Sequence, residues 1–325
     1  MKAAVLTGVK RLEIQDIPMP KLGDNDILVH NKVVAVCNAT DSKFYKGLHA
    51  LVQYPSVIGH EGAGVVTAVG KNVTKIKVGD KVLGAGYPNS PEMASLWGQY
   101  CEYGAIPETE AVKIPENVGF EEACMSHMLG ETLNAVYLSR PVVGDNVLII
   151  GAGAVGISLL ALLKCTFADK VIVADILDDK LAFAKSVGAD AVLRSDDPDF
   201  QDKILELTGG RGVNKIFEAV GRQETYNLAF DTIAYNGLIL AFGMMEGEMI
   251  VPFRKMINSE CSVQWCRNTG KGANQNKARI LDMIARGSLD VKPFITSRFA
   301  FEDINDAFAK IAEGREIRTL IEIDN

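Results

Sequence analysis

The sequence predicts an α/β fold with two domains, one rich in β-strands and one built on a doubly wound parallel sheet. The first observation is the length of 325 residues, which is long for one ordinary domain and suits two. The second is a change of pattern near residue 138, where strand-like segments divided by turns give way to short apolar runs between helical segments. The third is the order of these later segments, because alternating strands and helices are typical of a parallel sheet with crossover helices.

The first 137 residues predict the β-rich domain. Apolar and β-branched residues form strand-like segments, and clusters of turn-forming residues separate them. The strand-like segments are Ile27–His30, Lys32–Val36 and Gly64–Val69. The turn signals lie at 22–25, 78–80 and 88–91. This stretch is therefore predicted to be built mainly from strands.

Residues 138–276 predict the parallel sheet. The apolar runs are Val147–Ile150, Val171–Ala174, Ala191–Leu193, Lys215–Phe217 and Leu238–Ala241. Helical spacing is clearest in Val155–Cys165 and Asp178–Val187, and the second places its apolar residues on one face. After this domain come two further helical segments and a strand-like end: Asn276–Ala285, Phe301–Ala312 and Arg318–Ile323.

The composition excludes several classes of protein. Hydrophobic residues make up 48% and charged residues 23%, which excludes long disordered stretches. A net charge of −7 argues against nucleic-acid binding. Six cysteines are too few for a disulfide scaffold. Lys10 and Arg11 interrupt the N-terminus before an apolar segment of signal-peptide length. We therefore expect a cytoplasmic protein with no nucleic-acid or membrane partner.

The longest uncharged apolar run, Val147–Leu163, contains a nucleotide-binding pattern. Its 17 residues reach the lower limit of a membrane span, but three glycines divide it into a strand-like and a helix-like part. Gly151–Gly156 fits G-x-G-x-x-G, follows the strand and opens the helix, which is the context the pattern requires. Such a loop lets a pyrophosphate approach the free N–H groups of the helix N-terminus.

An acidic residue follows at the distance typical of dinucleotide binding. Asp175 ends the second strand of this domain, 19 residues after Gly156, where a carboxylate binds the hydroxyls of the adenosine ribose. No basic residue follows until Lys180, so we predict NAD rather than NADP. The alternative is a doubly wound domain with an unused or different nucleotide site. The predicted coenzyme-binding residues here are Gly151, Gly153, Val155, Gly156, Asp175 and Lys180.

Three residues of the β-rich domain are suitable zinc ligands. Cys37 follows a predicted strand, and His60 and Glu61 lie together between two glycines. Thiolate, imidazole and carboxylate groups all bind zinc. Each residue alone also has an ordinary structural explanation, so the residues by themselves leave a metal site open.

From Met1 to Ile323 the chain resembles the zinc-dependent alcohol and polyol dehydrogenases of the medium-chain dehydrogenase/reductase superfamily. The motifs that carry the resemblance are Cys37 with Thr40-Asp41, Gly59–Gly62, Val78–Val82, Gly151–Gly156 with Asp175, and Ile317–Thr319. The resemblance implies a GroES-like catalytic domain formed by 1–137 and 277–325, and an NAD-binding Rossmann domain formed by 138–276.

The resemblance also implies roles for single residues. Cys37 and His60 match two ligands of the catalytic zinc. Glu61 matches a glutamate beside the metal that can replace its water or a ligand. Asp41 matches an acid that orients the histidine ligand, as is usual behind metal-binding imidazoles. Arg318 matches an arginine that contacts the coenzyme pyrophosphate.

The third zinc ligand departs from the family, which has Cys, Asp or Glu there. Asn134–Val136 resembles the family's His-Ala-Val, and counting back seven residues gives His127. A neutral imidazole in place of an anionic ligand would leave zinc a stronger Lewis acid. The alternative is that His127 packs within a helix and that Glu61 or Glu131 completes the site.

The segment after Cys37 also departs from the family pattern, Cys-x-Ser/Thr-Asp, by one additional residue. Thr40 still takes the place of the hydroxyl, where it would accept the substrate proton. Lys43 falls where many relatives carry a histidine at the solvent end of a proton relay. We expect a surface or coenzyme-facing lysine there rather than a proton carrier.

The family's second, structural zinc is predicted to be absent. It requires four closely spaced cysteines, and the matching region, Ala85–Tyr103, contains only Cys101. Tyr87, Trp97 and Tyr100 lie in this shortened region. They are expected either to line the substrate pocket or to pack the region together, with packing favoured.

The resemblance implies a zinc- and NAD-dependent oxidoreductase. It would transfer a hydride between a secondary alcohol or polyol and NAD, with one catalytic zinc activating the substrate oxygen, and would reduce the ketone in reverse. Relatives are homodimers or homotetramers formed through the coenzyme domain, and the apolar strand Ser262–Trp265 is compatible with this. The alternatives are a zinc-free quinone or enoyl reductase of the same superfamily and a non-catalytic NAD-binding protein.

Overall fold

The chain divides into two compact units. The computed structural model describes residues 1–84, 94–95 (backbone only), 98–245, 247–266 and 272–323. Unit 1 comprises Met1–His127 with Lys277–Asn325, and unit 2 comprises Met128–Asn276. The sequence placed the first division at residue 137. The observed division lies inside the helix Phe120–Ser139, where no proline or turn cluster marks a boundary.

The first part of unit 1 consists mainly of strands. Its elements are β1 (Lys2–Gly8), β2 (Arg11–Asp16), β3 (Asp26–Ala35), α1 (Thr40–Tyr45), β4 (Ser56–Val57), β5 (Glu61–Val69), β6 (Lys81–Leu83), β7 (Ala94–Ser95), β8 (Tyr103–Pro107), β9 (Val112–Lys113) and the start of α2 (Phe120–Ser139).

Unit 2 alternates strands and helices. Its elements after α2 are β10 (Asn146–Ile150), α3 (Ala154–Leu163), β11 (Lys170–Asp175), α4 (Asp178–Ser186), β12 (Ala191–Arg194), α5 (Phe200–Leu207), β13 (Val213–Glu218), α6 (Gln223–Thr232), β14 (Ile233–Ala241), α7 (Phe253–Ser259) and β15 (Ser262–Trp265). The chain then enters α8 (Ala273–Ala285) and completes unit 1 with β16 (Ile295–Ala300), α9 (Ile304–Ala312) and β17 (Arg318–Glu322).

The larger sheet of unit 1 brings three distant motifs to one edge. Its strand order is β16-β17-β3-β5-β6-β9, with β8 also paired to β3. The antiparallel register places Ala35 of β3 opposite both Glu61 of β5 and Leu320 of β17. The end of β3 therefore lies beside the starts of β5 and β17. A second sheet, β2-β1-β4-β7, packs its apolar residues into a core with α9.

Unit 2 has the predicted parallel sheet. The strand order is β12-β11-β10-β13-β14-β15, and every neighbouring pair is parallel. Each of the five strands predicted from apolar runs is present and extends beyond at least one of its predicted ends. The two-domain α/β fold class is thereby confirmed. In the described part of the chain, no helix has the length and apolarity needed to cross a membrane.

Candidate metal centre and nucleotide loop

Cys37, His60 and Glu61 meet at the strand edge of unit 1. One ligand atom of each, a sulfur, an imidazole nitrogen and a carboxylate oxygen, lies within 4.8 Å of the other two. Nε2 of His60 is 3.6 Å from Oε1 of Glu61. Cys37 and Glu61 are buried, and the side chain of His60 is largely covered. This donor set and spacing fit a zinc ion.

Asp41 holds two of these residues through one carboxylate. Its Oδ1 lies 3.1 Å from Nδ1 of His60, and its Oδ2 accepts the backbone N–H of Cys37 at 3.0 Å. A carboxylate on Nδ1 leaves Nε2 directed at the metal position, which is the usual arrangement behind zinc-binding histidines. The structure thus brings Asp41 to the place that the resemblance implies.

The charges of this cluster change two pKa values in opposite directions. Burial lowers the pKa of His60, but the charge and hydrogen bond of Asp41, with contributions from Cys37, outweigh it and raise the pKa to about 10. Burial raises the pKa of Cys37, but the hydrogen bond and positive charge of His60, helped by Arg318, lower it overall. The surroundings therefore favour a thiolate at Cys37, the form that binds metal.

The additional residue after Cys37 is accommodated in a tight turn. The N–H of Asp41 donates to the carbonyl of Cys37 at 3.1 Å, which closes the turn. Thr40 begins α1 and is half-buried, and its backbone N–H lies 3.5 Å from Sγ of Cys37. Lys43 lies one turn further along the same short helix.

His127 is buried in α2 and offers an unused nitrogen. Its imidazole hydrogen-bonds to the backbone of Gly62, and Nε2 has no hydrogen-bond partner among the residues that the structure describes. Burial lowers the pKa of His127 well below its usual value, and the charges of Lys277 and His60 act in the same direction. The imidazole is therefore neutral, as a ligand must be. His127 is not part of the three-residue cluster, and neither is Glu131.

Arg318 lies at the metal centre rather than on the surface. It is 2% exposed, and its Nη2 forms an ion pair with Oε2 of Glu61. Its Nε and Nη1 have no hydrogen-bond partner within the described ranges. Sequence reasoning missed this pairing. The two residues meet only because β17 and β5 pair with the two sides of β3. The predicted contact with the coenzyme stays a prediction.

Tyr100 is a residue of the metal centre that the sequence left ambiguous. It is fully buried, and its hydroxyl donates to Oδ2 of Asp41 at 2.7 Å. Burial, followed by the charge and hydrogen bond of Asp41, raises its pKa well above the usual value. Tyr87 and Trp97 lie outside the described residues. No sequence signal links Tyr100 to Asp41, since tertiary pairing alone joins them.

The glycine loop of unit 2 has a steric reason for its sequence. Gly151 has φ +105°, a left-handed conformation, and its N–H donates to Ala174 of β11 at 2.7 Å. A Cβ on Gly156 would overlap the carbonyl oxygen of Gly151, whereas one on Gly153 would meet no atom within 4 Å. Gly156 is therefore required for the close packing of α3 on the loop, and Gly153 leaves space beside it.

Asp175 lies at the carboxyl end of β11 and touches this loop. Its Oδ2 accepts the N–H of Ala152 at 2.7 Å, and its Oδ1 accepts the N–H of Leu177 at 3.0 Å. A carboxylate has about four acceptor positions, so two such bonds leave room for ribose hydroxyls. Val155 and Lys180 are half-buried in the first turns of α3 and α4.

Arg194 is a basic residue near the carboxyl end of β11 that sequence reasoning missed. It pairs in register with Asp175 across β12 and β11. Its Nε and Nη2 donate to the two carboxylate oxygens of Asp196 at 2.9 and 2.8 Å, and its Nη1 donates to Asp178 at 2.7 Å. Each of the three guanidinium nitrogens thus donates to a carboxylate. The signal that could have found it is the expected parallel pairing of the second and third strands.

Comparison with known proteins agrees with this geometry. The family described as "Alcohol dehydrogenase GroES-like domain" matches residues 23–116, and "Zinc-binding dehydrogenase" matches residues 154–286. L-idonate 5-dehydrogenase of Vitis vinifera is 30% identical over 96% of this chain and 92% of that protein. D-xylulose reductase A of Aspergillus oryzae is 28% identical over 98% of this chain and 95% of that protein.

A solved alcohol dehydrogenase structure has the same fold as this chain. An alcohol dehydrogenase of Escherichia coli CFT073, complexed with NADH, superposes with a TM-score of 0.88 at 26% identity over 99% of both chains. The chain belongs to the zinc-type medium-chain dehydrogenase/reductase superfamily. It is an oxidoreductase of the alcohol dehydrogenase class that uses zinc and a nicotinamide cofactor, which confirms the predicted family and enzyme class.

Proposed function

We propose that the protein transfers a hydride between a secondary alcohol or polyol and NAD, at a site with one zinc ion per chain. The observation that carries the proposal is the cluster of Cys37, His60 and Glu61, whose ligand atoms lie within 4.8 Å of one another. The polyol class is supported by two relatives, which are named for D-xylulose and L-idonate. The ketone is the substrate of the reverse reaction.

The proposed zinc ligands are Cys37, His60 and His127, with Glu61 beside them. The buried Nε2 of His127 has no other partner in the described part of the chain, which supports its use as a neutral third ligand. The ion pair with Arg318 holds Oε2 of Glu61, and Oε1 lies 3.6 Å from Nε2 of His60, beside the proposed ion. When bound, zinc would supply Lewis acidity that polarises the substrate oxygen.

Thr40 is assigned to proton transfer. The assignment is supported by the backbone N–H of Thr40, which lies 3.5 Å from Sγ of the proposed zinc ligand Cys37. The Thr40 hydroxyl would pass the substrate proton onward during oxidation, accepting it as it releases its own proton toward solvent, and the transfer would run in reverse during reduction. Lys43 is assigned to the surface or to the coenzyme.

The coenzyme assignment is NAD. Gly151, Gly153, Val155 and Gly156 would hold the pyrophosphate at the N-terminus of α3, and Lys180 would lie near the adenosine. Asp175 would bind the ribose hydroxyls and repel a 2′-phosphate. Arg194, which pairs in register with Asp175, uses all three guanidinium nitrogens to donate to Asp178 and Asp196. Arg318 keeps its assignment to the pyrophosphate, supported by its Nε and Nη1, which have no hydrogen-bond partner among the described residues.

The proposal includes a homodimer or homotetramer in the cytoplasm. β15 is the last strand of its sheet, and an uncovered edge strand is a template for pairing with another chain. Trp265 at its end and Phe253 and Ile257 of α7 are more than half exposed. A reducing compartment suits the six unpaired cysteines, of which Cys37 must stay a thiolate.

Metal analysis combined with a substrate panel tests the proposal. Protein purified without chelator should contain one zinc per chain and reduce NAD with a member of a panel of polyols and secondary alcohols. Cys37→Ser and His60→Ala should lose zinc and lower kcat/KM by about 1,000-fold or more, because the Lewis acid contributes several kcal/mol. NAD binding, followed by fluorescence, should persist in both variants.

Two results would contradict this assignment. Turnover by a zinc-free His60→Ala protein would favour the zinc-free reductase alternative. Full zinc and NAD occupancy with no response from any substrate would favour the non-catalytic alternative.

A further inference from the structure

The segment Gln99-Tyr100 covers the motif that carries the proposed zinc ligand His60. Gln99 N–H donates to Gly59 and Tyr100 N–H donates to Ile58, each at 3.0 Å. Gln99 and Tyr100 are both fully buried. The two segments are therefore joined by backbone hydrogen bonds.

The two glycines around His60-Glu61 are fitted to this cover. Gly59 has φ +98°, and a Cβ there would lie 3.0 Å from two ring carbons of Tyr100. A Cβ on Gly62 would lie 2.8 Å from Oε1 of Gln99, which accepts the Gly62 N–H at 2.5 Å. The ring of Tyr100 thus fixes the backbone before the histidine, and the amide of Gln99 fixes the backbone after the glutamate.

The hydroxyl of Tyr100 has a different partner from its ring. It donates to Oδ2 of Asp41 at 2.7 Å, in a place where Asp41 is 1% exposed. The same Oδ2 accepts the N–H of Cys37 at 3.0 Å, and Oδ1 lies 3.1 Å from Nδ1 of His60. One buried carboxylate therefore joins Tyr100 to both predicted ligands. Hydrogen bonds to a buried charged group are among the stronger ones.

We propose that Tyr100 is a positioning residue of the metal centre, acting through Asp41 on Cys37 and His60. The inference rests on the proposed zinc site. Without the hydroxyl, Oδ2 of Asp41 would keep only the Cys37 N–H and the carboxylate could rotate. His60 would then be held less firmly with Nε2 toward the metal, so zinc would bind more weakly.

A neighbouring tyrosine provides a matched control. Tyr45 and Tyr100 both contact the ring of Phe308, Tyr45 stacked at 4.4 Å and Tyr100 edge-on at 6.2 Å between centroids. The Tyr45 hydroxyl lies 3.3 Å from Oδ1 of Asn305, away from the metal ligands. Tyr→Phe at either position removes one hydroxyl and keeps the packed ring.

The first experiment compares Tyr100→Phe with Tyr45→Phe. Zinc dissociation constants are measured by competition with a chromophoric chelator, and the visible spectrum of the Co²⁺-substituted protein reports ligand geometry. We expect Tyr100→Phe to bind zinc about 10-fold more weakly, as changes behind metal ligands usually do, and to shift the Co²⁺ bands. Tyr45→Phe should match wild type in both. Identical affinity and spectra for the two variants would overturn the inference.

A second variant separates positioning from packing. If Tyr100 acts through Asp41, Tyr100→Phe should add little to the loss of zinc affinity already caused by Asp41→Asn. The same 10-fold loss in the Asp41→Asn background would show that Tyr100 acts independently and would overturn the inference. If Cys37→Ser bound zinc as the wild-type protein does, both this inference and the proposed function would be overturned. If Tyr100→Phe alone bound zinc as the wild-type protein does, only this inference would be overturned.

Discussion

The polar groups of the metal centre in unit 1 and those of the nucleotide loop in unit 2 differ in their burial and in their pairing. Asp41, Glu61 and Arg318 are almost completely buried, and Nε2 of His127 and Nε of Arg318 have no partner within the described ranges. At the nucleotide end, by contrast, the charged groups are partly or largely exposed and paired within the chain.

The contrast has a consequence for function. Buried polar groups without partners are costly, so each such group at the metal centre is suited to a partner of a particular charge and position. Exposed pairs contribute little, so the nucleotide end can exchange its own partners for those of a ligand. Removal of a proposed zinc ligand should therefore weaken zinc binding strongly, whereas changes of charge at the nucleotide end should alter coenzyme preference gradually.

A steric change in the loop should be the exception at the nucleotide end and should weaken coenzyme binding strongly. In Gly156→Ala the new Cβ would overlap the Gly151 carbonyl, so the loop and α3 must move apart. We expect NAD affinity to fall by at least about 100-fold, as displacements near 1 Å do at such sites, and the melting temperature to fall. Calorimetric titration and thermal unfolding measure both, and the zinc content should not change.

Gly153→Ala is the control for this prediction. Its Cβ would meet no atom within 4 Å, and its φ of −77° suits any residue. The melting temperature should stay at the wild-type value, so any loss of NAD affinity would come from contact with the pyrophosphate. Wild-type NAD binding by Gly156→Ala would contradict the steric account of the loop.

The next largest effect is expected at His127. Asn at this position can still donate to the backbone of Gly62 but lacks Nε2. We expect His127→Asn to raise the zinc dissociation constant by about 100-fold, the upper end of effects from groups that surround a metal. Glu131→Gln is the matched control and should bind zinc normally. The opposite pattern, with Glu131→Gln impaired and His127→Asn unchanged, would support the alternative ligand set.

The sequence predicted the sheet of unit 2 well because a parallel strand buried on both faces is an apolar run between turns. It did not predict α2 as a helix. Most of α2 is buried on every side, so its apolar residues show no helical period. Local pattern therefore identifies short apolar runs between turns, and it misses a long helix whose buried residues lie on most of its faces.

The residues of the candidate sites show a similar limit of prediction from local sequence pattern. Cys37, His60 and Asp175 lie in local motifs and could be predicted as candidates from the sequence. Tyr100 could not, because it reaches Asp41 only through packing between distant segments, and Arg194 could be found only through the expected pairing of the second and third strands. Groups that support a site through tertiary contacts leave no spacing pattern in the sequence.

A change of charge at Asp175 should alter coenzyme preference. Asp175→Asn keeps an oxygen for the Ala152 N–H but removes the charge that would repel a 2′-phosphate. We expect the NAD to NADP ratio of kcat/KM to fall by about 10-fold, which corresponds to about 1.4 kcal/mol. Initial rates with both coenzymes measure it. A wild-type enzyme that prefers NADP, or a variant with an unchanged ratio, would contradict the NAD assignment.

The smallest effect is expected at Asp196, which occupies two of the donors of Arg194. Asp196→Asn should release the guanidinium toward a 2′-phosphate and lower the NAD to NADP ratio about threefold, within the range of exposed ion pairs. The shift should shrink at high salt, where exposed charges are screened. Asp197→Asn removes the same charge from a residue that pairs with Lys203 and should leave the ratio unchanged. Equal shifts of the NAD to NADP ratio in both variants would mean that net charge, rather than the release of Arg194, sets the preference. The nucleotide end would then lack the exchangeable ion pairs that distinguish it from the metal centre.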